Sequence, residues 1–268
     1  MAVVKGFQQI TGSLQNTTFY TIQGSDRVYV RTKGGPSKRM IKTSPAFEKV
    51  RCNNEEWKGC TQMASAIREA FRALKGVEDY PVIGSLNAMA KQIQSFDAGN
   101  NHGRRALYLS QHKELLAGFS LSRKQVLENV LRVPITALIH RETGTAGINI
   151  PANNTGMYLY NYRSLPYFRI IVSFSSVCDI CFSEEKKQYA PAFPDFSRFQ
   201  EAFVTEWLPT SGTAPALAQT LQMPIDVNDL PESVSLVLSV GVEFGNVGLD
   251  GLPSPVKYTG TGKVMDVQ

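Results

Sequence analysis

Cys178-Asp-Ile-Cys181 has the spacing of a zinc-ribbon thiolate pair, and Cys52 and Cys60 would complete a four-thiolate site. Two sulfurs share a metal only when both point the same way. The apolar alternation around the pair puts it inside a strand, where residues i and i+3 face opposite sides. No glycine eases the tight turn a knuckle needs, and Cys52 and Cys60 have seven residues between them on a predicted helix. The residues therefore predict small buried or half-buried thiols and no metal. A redox pair would sit at a helix N-terminus, which this one does not.

Other chemistry is weaker. His102, His112 and His140 lie among polar or basic neighbours. No Gly-x-Ser-x-Gly elbow supplies a nucleophile for any of them to activate. Gly260-Thr-Gly-Lys263 lacks the earlier glycine and the following hydroxyl of a phosphate loop, with Lys257 and Val264 in those places. Glu184-Glu185 before Lys186-Lys187 reads as a charged hairpin tip rather than a pair of glycosidase carboxylates. Tyr158, Tyr160 and Tyr162 alternate as if on one strand face, a strip that could stack on sugars or bases. These residues predict no catalytic, cofactor-binding or metal-binding site, and hence no enzyme.

Charge is the more informative pattern. Residues 1–106 hold 16 Lys/Arg and 8 Asp/Glu, whereas residues 107–268 hold 12 and 15. Between Arg27 and Arg51 eight cations face the single acid Glu48. Arg27, Arg31, Lys33, Lys38, Arg39 and Lys42 are the candidate partner-binding residues, able to attract nucleic acid or the acidic half of another copy.

The elements that must position them follow from periodicity. Thr18, Tyr20 and Ile22 alternate, Gly24-Ser25-Asp26 turns the chain, and Val28 and Val30 return with Tyr29 and Arg31 opposite: a hairpin. Gly34-Gly35-Pro36-Ser37 ends it. Ser44-Pro45 suits a helix start, with serine as N-cap. Apolar residues then recur at threes and fours from Phe47 to Leu74, and a second helix runs from about Ile83 to the Asp97 region. From about Leu115 the period becomes two. Residues 168–182 and 234–244 are the clearest strands, with weaker ones at 115–121, 134–141, 144–150, 202–208, 217–223 and 256–267. This is an α+β fold: a basic β-hairpin arm (1–43), a helical region (44–112) and an antiparallel β-sandwich-like domain (113–268).

At 268 residues and 43% apolar composition, the chain can bury a substantial core. The N-terminus lacks the apolar stretch of a secretory signal, and no run reaches a membrane-span length. Cytoplasmic synthesis is the expectation, with incorporation into a larger particle or filament open.

Arg31-Thr-Lys-Gly-Gly-Pro-Ser37, Thr43-Ser-Pro-Ala-Phe-Glu-Lys-Val-Arg51 with Asn53 to Glu56, Leu116-Ala-Gly-Phe-Ser-Leu121 and Ser239-Val-Gly-Val-Glu-Phe-Gly245 together span nearly the whole chain. In this order they resemble an uncharacterised group of bacterial proteins from Bacteroidota-type genomes. The resemblance implies no activity, ligand or site residue, and weighs lightly against an enzyme. The leading expectation is a non-enzymatic structural or assembly subunit that self-associates or docks partners. A nucleic-acid-binding protein using residues 27–51, or a carbohydrate- or peptide-binding module using the tyrosines, are the alternatives.

Overall fold

Two long strands, grown from the two clearest alternating runs, organise most of the structure. The computed structural model describes residues 2–4, 11–22, 25–32, 34–197, 199–224 and 230–268. It divides the chain into two units, Met1–Arg51 and Cys52–Gln268.

The first unit contains strands β1 (Ala2–Val4), β2 (Gly12–Leu14), β3 (Thr17–Thr21) and β4 (Val28–Thr32), and helix α1 (Lys38–Thr43). The strands form an antiparallel sheet in the order β1-β4-β3-β2. The predicted hairpin is β3–β4, with Phe19 opposite Val30 and Tyr20 opposite Tyr29. Alternation had not marked β1, β2 or α1. Ser37 accepts a hydrogen bond from the Met40 amide at 3.2 Å and caps α1, so the glycine-proline segment starts a helix as well as ending a strand.

The second unit holds α2 (Glu48–Ala70, its first turn preceding the division), α3 (Ile83–Ser95), α4 (Leu127–Val130), β5 (Thr136–His140), β6 (Thr145–Ile150), β7 (Asn153–Asn154) and α5 (Thr155–Tyr158). It continues through β8 (Tyr167–Cys178), β9 (Ile180–Ser183), β10 (Gln188–Pro191), β11 (Gln200–Val204), β12 (Leu208–Pro209), β13 (Thr213–Ala214), β14 (Leu217–Gln222), β15 (Val234–Val247), β16 (Pro253–Pro255) and β17 (Thr261–Val267). The predicted α+β character is present. β8 and β15 pair antiparallel along their length, from Val234 opposite Cys178 to Gly245 opposite Tyr167. β11 and β12 flank β8, and β16 and β17 flank β15.

Both faces of this sheet are covered. Phe168, Ile170, Val172, Phe174, Leu238, Val240 and Val242 share a buried cluster with Ile139, Ile148, Ile150 and Leu221 of a second antiparallel sheet, β14-β6-β5. On the opposite face Ile171, Val177 and Val237 pack with Cys60, Met63, Ile67, Leu74 and Leu86 from the helical segments. That face also carries the small residues Ser173, Ser175, Ser239 and Gly241. Ser173 donates to the Ala70 carbonyl at 3.1 Å, satisfying an orphan acceptor at the end of α2. A Cβ on Gly241 would stand 2.2 Å from Leu74 Cδ2. Glycine there lets the segment after α2 lie directly on the strands.

Several sequence expectations change. The single helix from Ser44 to Leu74 is a 3-10 turn (Pro45–Phe47), the α-helix α2 and a second 3-10 segment (Arg72–Val77). Ser44 makes no capping hydrogen bond through its side chain. The first strand after the helices is β5; the expected strand at 115–121 is irregular, joined to β17 by an isolated bridge at Ser120. Leu116 and Leu121 are fully buried there, so core packing, not strand pairing, explains its apolar residues. The run 168–182 breaks at Asp179, whose side chain accepts from the Ser110 amide and hydroxyl. Among the described residues no helix is long and apolar enough to cross a membrane.

Candidate interaction surface

The cations of the first unit divide between a strand and a helix. Arg31 follows Tyr29 by two on β4, and Tyr29 is paired across the ladder with Tyr20, so all three side chains share one sheet face. The tyrosine rings stack with centroids 5.9 Å apart, and the Arg31 guanidinium lies 5.5 Å from the Tyr20 ring. Arg27 is exposed just before β4, its amide bonded to Ser25 Oγ at 3.3 Å. Lys38 and Lys42 stand one helical turn apart on α1, with Arg39 three residues before Lys42. Lys33 lies outside the described residues.

Arg27, Arg31, Lys38, Arg39 and Lys42 are all exposed, and none forms an ion pair with a described residue. Arg51 behaves differently: its Nη1 donates to the carbonyls of Ile41 and Ser44 at 2.9 and 2.8 Å, so that cation is used inside the unit. The first turn of α1 carries Lys38 and Arg39 and no acid. The helix dipole disfavours cations at that end, so their placement costs the isolated helix some stability. Among the residues of the unit whose burial is described, 11–22, 25–32 and 34–51, Val28 is the sole buried hydrophobic, while Leu14, Ile22, Met40 and Val50 are exposed.

No protein-family model matches this chain, and no curated protein does either.

The chemical motifs of the sequence resolve into structure. All four cysteines are free thiols, with Cys60 and Cys178 buried. Burial pushes Cys60 up to about 11 and Cys178 up to about 12, so both stay protonated and poorly nucleophilic. Among the described residues no three His, Cys, Asp or Glu side chains are placed to hold a metal. His112 lies against the Phe96 ring at 4.5 Å, and His102 bonds Asn53 Oδ1 at 2.8 Å. Gly260 to Lys263 enters β17, and Lys263 pairs with Glu128. Glu184 and Lys187 join at 2.7 Å on the β9–β10 connection, the expected charged tip.

The tyrosine strip is not on a strand. Tyr158 ends α5, and Tyr160 and Tyr162 follow in irregular chain. Arg132 covers the Tyr160 ring at 5.2 Å, Arg163 covers Tyr162 at 5.5 Å, and the Tyr162 hydroxyl donates to the Tyr258 carbonyl at 3.3 Å. Two of the ring faces offered for stacking are already occupied.

Periodicity missed one charged centre. Glu56, on α2 and fully buried, receives Arg105 through two hydrogen bonds (2.7 and 2.6 Å), Lys91 at 3.1 Å and the Gly103 amide at 2.9 Å. Burial alone pushes its carboxyl up, but the Arg105, Gly103 and Lys91 hydrogen bonds outweigh that and hold it near 2. Four donated hydrogen bonds nearly saturate the carboxylate. This is a clamp that fixes α3 and the loop after it against α2, not an acid or base.

Proposed function

We propose that this chain is a non-enzymatic assembly subunit whose basic N-terminal unit docks on the acid-rich part of a second copy. The observation that carries this reading is a set of five exposed cations that form no ion pair with any described residue, on a unit whose residues of described burial include one buried hydrophobic, Val28. A segment of about fifty residues gains stability from burying surface against a partner. Arg27, Arg31, Lys38, Arg39 and Lys42 steer the encounter, and the acid excess of residues 107–268 supplies the complementary charge. The contact is heterologous, one patch meeting a different one, which builds rings or filaments. A sandwich-like β domain as the rigid body being assembled, and membership of the uncharacterised bacterial group, belong to the same proposal.

Sedimentation velocity tests it with nucleic-acid-free protein between about 50 and 500 mM salt. Self-association should fall steeply with salt and vanish in the triple variant Arg31→Glu, Lys38→Glu, Lys42→Glu. A monomer at every salt concentration would overturn the reading. One observation favours a second reading, nucleic-acid binding: the stacked Tyr20 and Tyr29 beside Arg31 form an aromatic-cationic face of the kind single strands use. Retention of a labelled oligonucleotide at low salt, lost on Tyr20→Ala, would favour that reading over assembly.

A further inference from the structure

We infer that the second unit contains a binding site for a small apolar molecule carrying one hydrogen-bond donor, a phenol-like ligand. A cavity of about 220 Å³ opens between the two sheets. Phe168, Ile170 and Phe203 form one wall and Ile150 and Leu217 the other, with Ala214 at the end of β13 and Ala216 between β13 and β14. Ala214 is buried, and its short side chain leaves the space open. Elsewhere between the same sheets Phe174, Leu236, Leu238 and Phe244 are buried to 1% exposure or less and close the gap. Protein interiors rarely keep voids larger than a water molecule, and a 150 Å³ apolar cavity suffices for benzene.

Asn153 and Thr205 are the polar residues inside the cavity; the Thr205 hydroxyl oxygen already accepts from the Ile170 amide at 3.0 Å, and Asn153 supplies the unpaired group. Asn153 Nδ2 donates to the Pro151 carbonyl at 3.1 Å. A carbonyl can only accept, so this bond fixes the amide with its nitrogen toward Pro151 and its oxygen turned away. Asn153 Oδ1 is buried and has no hydrogen-bond partner among the described residues. A buried acceptor in an apolar lining selects a ligand that brings a donor. Glu206 also lines the cavity and is exposed, which places it at the mouth. The ligand class is therefore a single ring or short chain of about ten non-hydrogen atoms bearing one hydroxyl.

Methyl NMR of the intact chain, titrated with 4-propylphenol and separately with propylbenzene, tests the site. Saturable shifts are expected at Ile150, Ile170 and Leu217, with the phenol bound about tenfold more tightly, the worth of one hydrogen bond. Asn153→Leu should weaken the phenol to the level of propylbenzene and leave propylbenzene unchanged. Ala214→Leu should abolish both. No saturable shift in the unmodified protein, or shifts centred on Leu74 and Leu86 in the other cluster, would overturn the site whatever the variants do. Equal weakening of both probes by Asn153→Leu would overturn the role of its oxygen.

Discussion

At the scale of single residues, the buried carboxylate of Glu56 gives an electrostatic effect that can be tested by pH. In the unfolded chain it titrates near 4.5 and in the folded protein near 2. A folded value below the unfolded one means stability is gained above the unfolded value and lost as the pH falls toward the folded one. Its contribution, about 3 kcal/mol, is therefore present at neutral pH and fades between about pH 4.5 and 2. Glu56→Gln should cost about 3 kcal/mol at pH 7 by urea denaturation, because half-buried Arg105 and Lys91 are left without their buried counter-charge. The gap to the unmodified protein should close as the pH approaches 2. A constant gap would show that the carboxylate's charge is not what the clamp uses. The cysteines give a second outcome. Burial holds the thiols of Cys60 and Cys178 high. In the native protein a thiol reagent should modify half-buried Cys52 first, and these two only after unfolding.

At the scale of elements, close approach between strands and the segment after α2 is the feature most open to test. A Cβ at Gly260 would lie 2.3 Å from the Val242 carbonyl oxygen and 2.8 Å from Val77 Cγ1, with backbone on one side and a buried side chain on the other. Gly260→Ala should destabilise by about 3 kcal/mol, the cost of forced overpacking. Gly147, within β6, would meet nothing within 4 Å. Gly147→Ala should change stability by less than about 0.5 kcal/mol. Parallel urea melts of the two variants compare them directly, and equal losses would mean that the sheet is not packed this closely. The elements with unbroken periodicity were readable in the sequence. β8, β15 and α3 alternate or repeat over ten residues or more, and each lies where its pattern put it. The stretch 97–135 was not readable. Leu107, Leu116 and Leu121 are buried from irregular chain and Leu109 from a 3-10 turn, and apolar residues spaced by chance mimic a strand.

At the scale of the whole molecule, burial is distributed unevenly. Both buried clusters lie in the second unit. A chain beginning at Ser44 keeps both buried clusters of the second unit and should still unfold cooperatively in urea. The same truncation should abolish self-association in sedimentation. Retained association would place the contact on the second unit and remove the N-terminal cations from the proposal. Of the candidate residues, the sequence identified the cations by type and crowding, and the hairpin placed Arg31 beside Tyr20 and Tyr29. It did not reveal α1, because a six-residue helix with no buried residue has no apolar period to read.

The sequence by itself determined what depends on near neighbours along the chain: the hairpin, the alternating strands, the helical stripes and the surplus of cations before α2. The tertiary structure alone decided which strands pair, that Glu56 meets Arg105 and Lys91, and that Ala214 leaves space opposite Phe168 and Phe203. The reason is one of range. Backbone geometry imposes its period over a few residues, whereas ion pairs, sheet order and cavities arise between groups far apart in sequence, and no local pattern records which of them will meet.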